Sequence, residues 1–147
     1  MKEVKEMEDR PRAGDLLKQI DIVMKKQANN MLKSMDLTIA QVIALMILRQ
    51  EPSGELPLKK IEQVMRVAQS TAAGIVARLE KKGFVESFDD ENDRRIKMVR
   101  ITPTGLSCCE RAYEHVENTE EMLLSSLTET ERVVFVALLQ KVSDSLM

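Results

Sequence analysis

The hydrophobic repeat of this sequence changes its period at Gly83, and that change limits the folds that the chain can adopt. Before Gly83, apolar residues recur every three or four positions, which is the spacing of amphipathic helices. After it come two short segments, "FVESF" and "IKMVRI", rich in β-branched or aromatic residues and separated by a polar loop at residues 89–95. We therefore expect a β-hairpin within a mostly α-helical chain.

Composition agrees with a single helix-rich domain. The 147 residues suffice for one core but are few for two independent domains. Only 3% of the residues are aromatic, Trp is absent and Met occurs ten times, so the core should consist of aliphatic and thioether side chains.

Two helices are predicted before the first turn. The first spans about residues 14–35 and carries one apolar stripe. The second should begin after Thr38, which stands at capping-box spacing from Gln41, with Leu37 and Val42 placed as a hydrophobic staple. The segment "EPSG" at residues 51–54 should end it.

A short third helix, a tight turn near residues 67–69 and a fourth helix follow. The basic pair at residues 81–82 and then Gly83 are typical of the end of a helix. The predicted buried stripes are Leu58, Ile61, Val64 and Met65 on helix 3, and Ala72, Ile75, Val76 and Leu79 on helix 4.

The hairpin should direct Val99 and Ile101 toward the core, and Thr102 with Pro103 should start a long fifth helix. Thr128 and Glu131 repeat the capping-box spacing before a sixth helix. Helix 5 should carry a heptad-like seam with three- and four-residue steps, formed by Leu106, Cys109, Tyr113, Val116, Glu120, Leu123 and Leu127. The predicted apolar face of helix 6 consists of Val134, Phe135, Leu138, Leu139, Val142 and Leu146.

A short helix, a tight turn, a second helix with a polar outer face and a hairpin form the layout of a winged helix. The second helix of such a motif can enter the major groove of DNA with its N-terminal residues toward the base edges. Gln69 can pair with adenine, Ser70 and Thr71 can bind a base or a phosphate, and Ala73 or Ala77 can touch a thymine methyl. Serine and threonine at a helix start are also ordinary caps, so this assignment depends on its surroundings.

The loop before the second strand presents two adjacent arginines, Arg94 and Arg95. A guanidinium stays charged and its fork of donors matches phosphate, or the narrow minor groove. Asp93 lies two residues before Arg95, on the same side of an extended strand, and would hold that arginine in one orientation. The alternative is a solvated polar turn.

The chain resembles the MarR-type winged-helix transcriptional regulators over nearly its whole length. Asp93, Arg95, Ile101, Thr102 and Gly105 match the wing signature of that family, an Asp-x-Arg followed by a Leu-Thr-like pair and a glycine. "LTIAQVIALMIL" is similar to its second helix, and "LPLKKIEQVMRVAQSTAAGIVARLEKKGFVE" to its helix-turn-helix and first wing strand.

The resemblance implies a mostly α fold, with a winged helix-turn-helix that has a two-stranded wing and with long terminal helices that form a homodimer. Residues 37–102 would be the DNA-binding lobe, and 1–36 with 103–147 the dimerisation region. It also implies a double-stranded, near-palindromic DNA site with half-sites roughly 34–36 Å apart. The protein would respond to a small-molecule effector and would act as a repressor more often than as an activator. The outer face of helix 4, including Gly74 and Arg78, would contact DNA.

This chain departs from the family pattern on that face. Ala73 and Gly74 stand where relatives usually carry larger polar or basic residues, and Ala68 occupies a position often held by a capping serine. Gly74 costs a helix roughly 1 kcal/mol relative to alanine, so it indicates either a close backbone approach or weak selection on this surface. The departure motivates the alternative of a winged-helix module that binds protein or a small ligand without reading DNA sequence.

Charge is distributed unevenly, although the formal net charge is only -2. Residues 1–56 hold 9 basic and 9 acidic side chains, residues 57–102 hold 10 and 7, and residues 103–147 hold 3 and 8, so the three segments carry 0, +3 and -5. Residues 57–102, which lie within the predicted lobe, are therefore the most basic of the three segments, and such an asymmetry is consistent with a polyanionic partner.

Neither a cofactor, a metal nor an enzymatic activity is expected. Cys108 and Cys109 have no metal-ligand spacing, and Cys108 lies about 10 Å along a helix from His115. The charged N-terminus is unlike a signal peptide, and we expect a cytoplasmic protein with reduced thiols.

Overall fold

A computed structural model describes Lys2 and residues 10–147 of the chain. Six helices in this part match the six predicted from the sequence. They are α1 (Ala13–Ser34), α2 (Ile39–Gln50), α3 (Leu58–Met65), α4 (Gln69–Lys81), α5 (Pro103–Leu124) and α6 (Glu129–Leu146).

The wing is a three-stranded antiparallel sheet, where a two-stranded one was expected. Its strands are β1 (Glu55–Pro57), β2 (Val85–Asp89) and β3 (Lys97–Ile101), in the order β1-β3-β2. β1 pairs with β3 from Glu55 opposite Arg100 to Pro57 opposite Met98. Three residues ending in a proline carry no alternating pattern, and a proline lacks a donor, so β1 is limited to a sheet edge and is hard to see in sequence.

Both predicted capping boxes are present. The Thr38 hydroxyl accepts from the backbone N–H of Gln41 at 3.2 Å, and the Gln41 side chain accepts from the N–H of Thr38 at 3.2 Å. Thr128 and Glu131 repeat the arrangement at 3.2 and 3.0 Å. These bonds satisfy helix N–H groups that have no partner within the helix, which explains why α2 and α6 begin where they do.

By its contacts the chain divides into two compact units, Met1–Tyr113 and Glu114–Met147. The core of the first unit lies between α2, α4, the sheet and the start of α5, and the predicted stripe of α4 is buried in it. Its fully buried side chains of largest volume are Leu45, Leu48, Ile61, Leu79, Val85, Val99 and Cys109.

In the second unit, α5 and α6 are joined by a two-pronged ion pair. The Arg132 guanidinium donates to both carboxylate oxygens of Glu121 at 3.0 Å, and to the carbonyl of Leu127 at 3.3 Å. Leu124 is buried in this unit, whereas α6 itself has no buried residue. The predicted apolar face of α6 is therefore exposed in a single chain.

Two predicted stripes need correction. Val64 is 50% exposed, because the eight-residue α3 packs on α2 and α4 mainly through Ile61. On α5 the predicted seam is largely exposed, Leu127 lies beyond the helix, and the residues buried near its start are small ones spaced three and four apart. They are Gly105, Cys108, Cys109 and Ala112.

No single helix among the described residues is long and apolar enough to cross a membrane. The pair α1 and α2, bent by 78° at the break between them, passes the same test on length and composition alone. Buried core helices pass that test too, and α2 contributes four buried apolar residues to the core.

The start of α5 is fixed against the end of α4 and the start of β2. Thr102 donates its hydroxyl to the carbonyl of Gly83 at 2.7 Å and accepts the N–H of Gly105 at 3.2 Å, so it caps α5 as predicted. A methyl group at position 105 would collide with the Phe84 carbonyl oxygen and lie 2.7 Å from Cγ1 of Ile101. Gly105 thus permits a backbone approach that no other residue permits.

We expect Gly105→Ala to lower the free energy of unfolding by about 1–3 kcal/mol, since backbone must move to admit the methyl group. That corresponds to a fall in melting temperature of several degrees, measured by circular dichroism at fixed protein concentration. Gly14→Ala is the matched control, because a methyl group there meets nothing within 4 Å. Equal melting of the two variants would contradict this account of Gly105.

Candidate nucleic-acid interface

The turn between α3 and α4 is tight because Arg66 adopts a left-handed conformation, with φ 55° and ψ 45°. In this conformation the N–H groups of Arg66 and Val67 bond back to the carbonyls of Gln63 and Glu62, each at 3.3 Å. A left-handed residue costs roughly 1–2 kcal/mol when it is not glycine. Two backbone bonds and the packing of both helices offset that cost, which confirms the predicted helix-turn-helix.

The outward face of α4 consists of the residues predicted to contact DNA. The buried stripe is the predicted one, with Ala72, Ile75, Val76 and Leu79. Gly74 is half-buried, and the remaining predicted positions on this helix are exposed: Gln69, Ser70, Thr71, Ala73, Ala77 and Arg78.

The first turn of α4 has no side-chain cap. Its N-cap residue is Ala68, which has no side-chain oxygen, and the first backbone bond of the helix runs from the Ala72 N–H to the Ala68 carbonyl at 3.0 Å. The N–H groups of Gln69, Ser70 and Thr71 therefore lack intrahelical acceptors. Such a helix end favours an anion, both by its free donors and by the helix dipole.

The arginines of the wing lie in a β-turn, not in an extended strand as predicted. The Ile96 N–H bonds to the Asp93 carbonyl at 3.0 Å, which places Arg94 and Arg95 in the two central positions. Asp93 nevertheless orients Arg95 as expected. Its carboxylate accepts from Nε and Nη2 of Arg95 at 3.0 and 3.1 Å, and from the Arg95 backbone N–H at 3.1 Å.

These bonds lower the pKa of Asp93, chiefly through the Arg95 side chain, and raise the pKa of Arg95. The carboxylate therefore stays ionised somewhat below the usual range of an aspartate, and the pair is lost only as the pH falls through that lowered pKa. The Arg95 side chain is 91% exposed, so the pair is worth little to stability. Its effect is to fix the direction of a cation that solvent, or a ligand, can reach.

A groove of about 460 Å³ joins the helix-turn-helix to the wing. Gln69 and Arg95, the leading candidates from the two motifs, both line it; Ser70, Thr71 and Arg94 do not. The other lining residues were missed: Pro57, Leu58, Lys59, Glu62, Ile96 and Lys97. Lysines at the starts of α3 and β3 carry only a weak signal in sequence, because it is the fold that brings those starts together.

A second groove on the sheet, of about 680 Å³, has the opposite charge. Its acidic lining residues are Glu55, Glu80, Glu86, Asp89, Asp90 and Glu91. Arg100 crosses the sheet within it, bonded to Glu55 at 2.8 Å and stacked over the Phe88 ring at 4.5 Å. This arrangement ties β1 to the hairpin, and sequence gave no sign of it because β1 itself was not predicted.

Cys108 and Cys109 are buried core residues, as predicted for Cys109. Burial raises the pKa of Cys108, and burial also raises the pKa of Cys109 to about 11. Both thiols are thus protonated, and weak nucleophiles, at neutral pH. No group of three or more potential metal ligands occurs in the described part of the chain, and His115 lies 3.3 Å from the Thr119 hydroxyl.

The chain is similar in sequence to transcriptional regulators. The sequence model of the MarR family matches residues 37–97. The helix-turn-helix transcriptional regulator YwaE of Bacillus subtilis is 33% identical over 93 residues, 63% of this chain and 54% of YwaE, so the match spans about half of that relative. The transcriptional repressor NicR of Pseudomonas putida is 34% identical over 110 residues, 74% of this chain and 68% of NicR.

Among solved structures, the DNA complex of MepR from S. aureus superposes with a TM-score of 0.80. It shares 26% sequence identity, and the match covers 90% of this chain and 98% of that one. The likeness therefore extends well beyond the helix-turn-helix.

Proposed function

This chain belongs to the MarR family of transcriptional regulators. From that premise we propose that it is a homodimeric, sequence-specific DNA-binding repressor whose activity is modulated by a small-molecule effector. NicR is named a repressor, and MepR has been solved bound to DNA. YwaE is likewise a helix-turn-helix transcriptional regulator by name.

One observation carries the DNA-binding part of the proposal: Gln69 and Arg95 line the same groove. A side chain at the start of α4 can reach base edges in the major groove, while a cation on the wing meets phosphate or the adjacent minor groove. The DNA strand whose phosphates separate the major from the minor groove would then lie in the protein groove, near Lys59 and Lys97. The uncapped first turn of α4 adds donors for a phosphate.

Exposed apolar helices support the homodimer. Neither α1 nor α6 has a buried residue, although both carry many large apolar side chains. On α6, an apolar depression of about 330 Å³ is lined by Val134, Phe135 and Leu138 among others. Apolar faces of this extent are usually covered by another chain, and a two-fold dimer is the commonest way to cover them.

We further propose that residues 37–102 form the reading lobe and that residues 1–36 and 103–147 form the dimerisation region. An effector would act by changing how the two lobes of a dimer are presented to DNA. A small groove of about 270 Å³ lined by Met46, Arg49, Gln50 and Tyr113 is a candidate place for it, with the Arg49 guanidinium 4.4 Å above the Tyr113 ring.

Arg95→Ala and Gln69→Ala should weaken DNA binding in different ways. Removing the wing cation should weaken binding to all duplexes and reduce the slope of log K against log salt by about 1. Removing the amide should cost about 1–3 kcal/mol on the preferred duplex and little on a scrambled one. Fluorescence anisotropy at several salt concentrations, with a duplex selected by the wild-type protein from a random pool, measures both quantities. Equal losses on both duplexes for both variants would contradict this division of roles.

Leu138→Glu should weaken the dimer on the order of 100-fold, because a charge replaces an apolar side chain that dimerisation would bury. Sedimentation velocity across a dilution series measures this. Lys141→Gln is the matched control, since it also changes the net charge by -1 on an exposed part of α6. A dimer of unchanged affinity in Leu138→Glu would exclude this face from the interface.

A second candidate function, a winged helix that binds a protein or small ligand without reading DNA sequence, rests on the small residues Ala73 and Gly74. A methyl group at Gly74 would meet only Nη1 of Arg78, at an ordinary 3.4 Å, so nothing within the described chain requires a glycine there.

Gly74→Ala should therefore stabilise the fold by about 0.5–1 kcal/mol. If α4 lies close against DNA, the same change should weaken binding of the selected duplex severalfold. A stabilised variant with unchanged DNA affinity would show that this part of α4 does not approach DNA, and would favour the second candidate.

A further inference from the structure

Glu62 places a carboxylate in the groove where the other charged lining residues are cations. We propose that Glu62 is a specificity-determining residue, which weakens binding to DNA in general and is compensated only where a base amino group faces it. The inference rests on the proposed DNA-binding function and adds a negative determinant to it.

The position of Glu62 supports this role. It lies on α3 in the last turn before Arg66, and it lines the groove together with Lys59, Gln69 and Lys97. Glu62 is half-buried. The carboxylates of the second groove are separate from it, because they lie on α4, β1, β2 and the wing loop. A strand seated between α4 and the wing would therefore pass this carboxylate.

The charge of Glu62 is not neutralised by the surrounding cations. Within the described chain its carboxylate has no ion pair with Lys59, Lys97 or Arg95. The Arg95 guanidinium is already engaged by both oxygens of Asp93. The backbone carbonyl of Glu62 accepts the Val67 N–H, which ties the main chain to the turn between α3 and α4. The Glu62 side chain takes part in none of the ion pairs formed among the described residues.

A free carboxylate beside a phosphate path has opposite effects on different duplexes. It repels phosphates on every sequence, and only counterions or water reduce that repulsion. A cytosine amino group in the major groove can donate to it, as an adenine amino group can, and that hydrogen bond is charge-assisted. Glu62 therefore weakens binding to every duplex, and a hydrogen bond from a base offsets that loss only on matching sequences. The ratio of the affinities for specific and random DNA increases as a result.

Glu62→Gln tests the proposal because it removes the charge and keeps the shape. We expect the variant to bind a scrambled duplex about three- to fivefold more tightly than the wild type, and to bind the selected duplex equally or less tightly. The ratio of the two affinities should fall by about fivefold or more. A repeated selection with the variant should also lose the preference for cytosine or adenine at one position of each half-site.

Glu91→Gln is the matched control, since it removes one negative charge from an exposed part of the wing loop that lies outside this groove. Similar effects of the two variants would assign the change to net charge and overturn the proposal. Unchanged affinities in Glu62→Gln would overturn it as well. Both results leave DNA binding by the wild type intact, whereas a wild-type protein that retains no duplex at low salt would instead remove the proposed function itself.

Discussion

The close backbone contact between the first turn of α5 and the Phe84 carbonyl ties the end of α4 to both strands of the hairpin that carries Arg95. Phe84 directly follows the glycine that ends α4, and its N–H bonds back to Leu79 at 3.0 Å. Its carbonyl then accepts the Thr102 N–H at 3.1 Å. The end of α4, the start of β2, the end of β3 and the start of α5 thus meet at one place, and Gly105 makes room for the meeting.

The contact at Gly105 also determines where the hairpin lies relative to α4. The start of β2 and the end of β3 are both fixed at the end of α4. From there the hairpin extends to the turn that contains Arg95, which lines the same groove as Gln69. β1 adds a third strand, and the contact of Arg100 with Glu55 and Phe88 stiffens the sheet across its width. A wing fixed at its base and braced across its strands can present a cation in a definite place, which is what groove recognition requires.

Around the sheet, positive and negative side chains lie mostly in different grooves, a separation that is not apparent from the formal net charge of -2. One groove is lined by Lys59, Arg95 and Lys97 with Glu62, and another by six carboxylates. A polyanion approaching this lobe is attracted to one groove and repelled from the other, so the field orients the encounter. A slightly acidic protein can in this way bind DNA through a small basic surface.

Sequence predicted the elements whose signals are local and missed those created by tertiary packing. Thr38 and Thr128 form their boxes with residues three positions away, and the stripe of α4 follows its own period, so these predictions are confirmed. The residues buried near the start of α5 are small, and among them only Cys109 belongs to the predicted seam, because that seam follows larger side chains.

The same distinction holds at the candidate site. Asp93 and Arg95 are two residues apart, and their pairing was predicted, although through a strand in place of the observed turn. The groove residues Lys59, Glu62 and Lys97 come from α3 and β3, which only the folded chain brings together. The roles of all these residues toward DNA remain predictions.

Hydroxyl-radical footprinting of the wild-type protein on its selected duplex tests the central claim, that the helix-turn-helix and the wing of each subunit hold one strand between them. We expect two symmetric protected regions centred about one helical turn apart, each with a flanking protection in the minor groove from the wing. The flanking protections should disappear in Arg95→Ala while the central ones persist. A single asymmetric footprint, or loss of all protections together in that variant at a protein concentration that saturates the duplex, would show that the helix-turn-helix and the wing do not hold one strand between them.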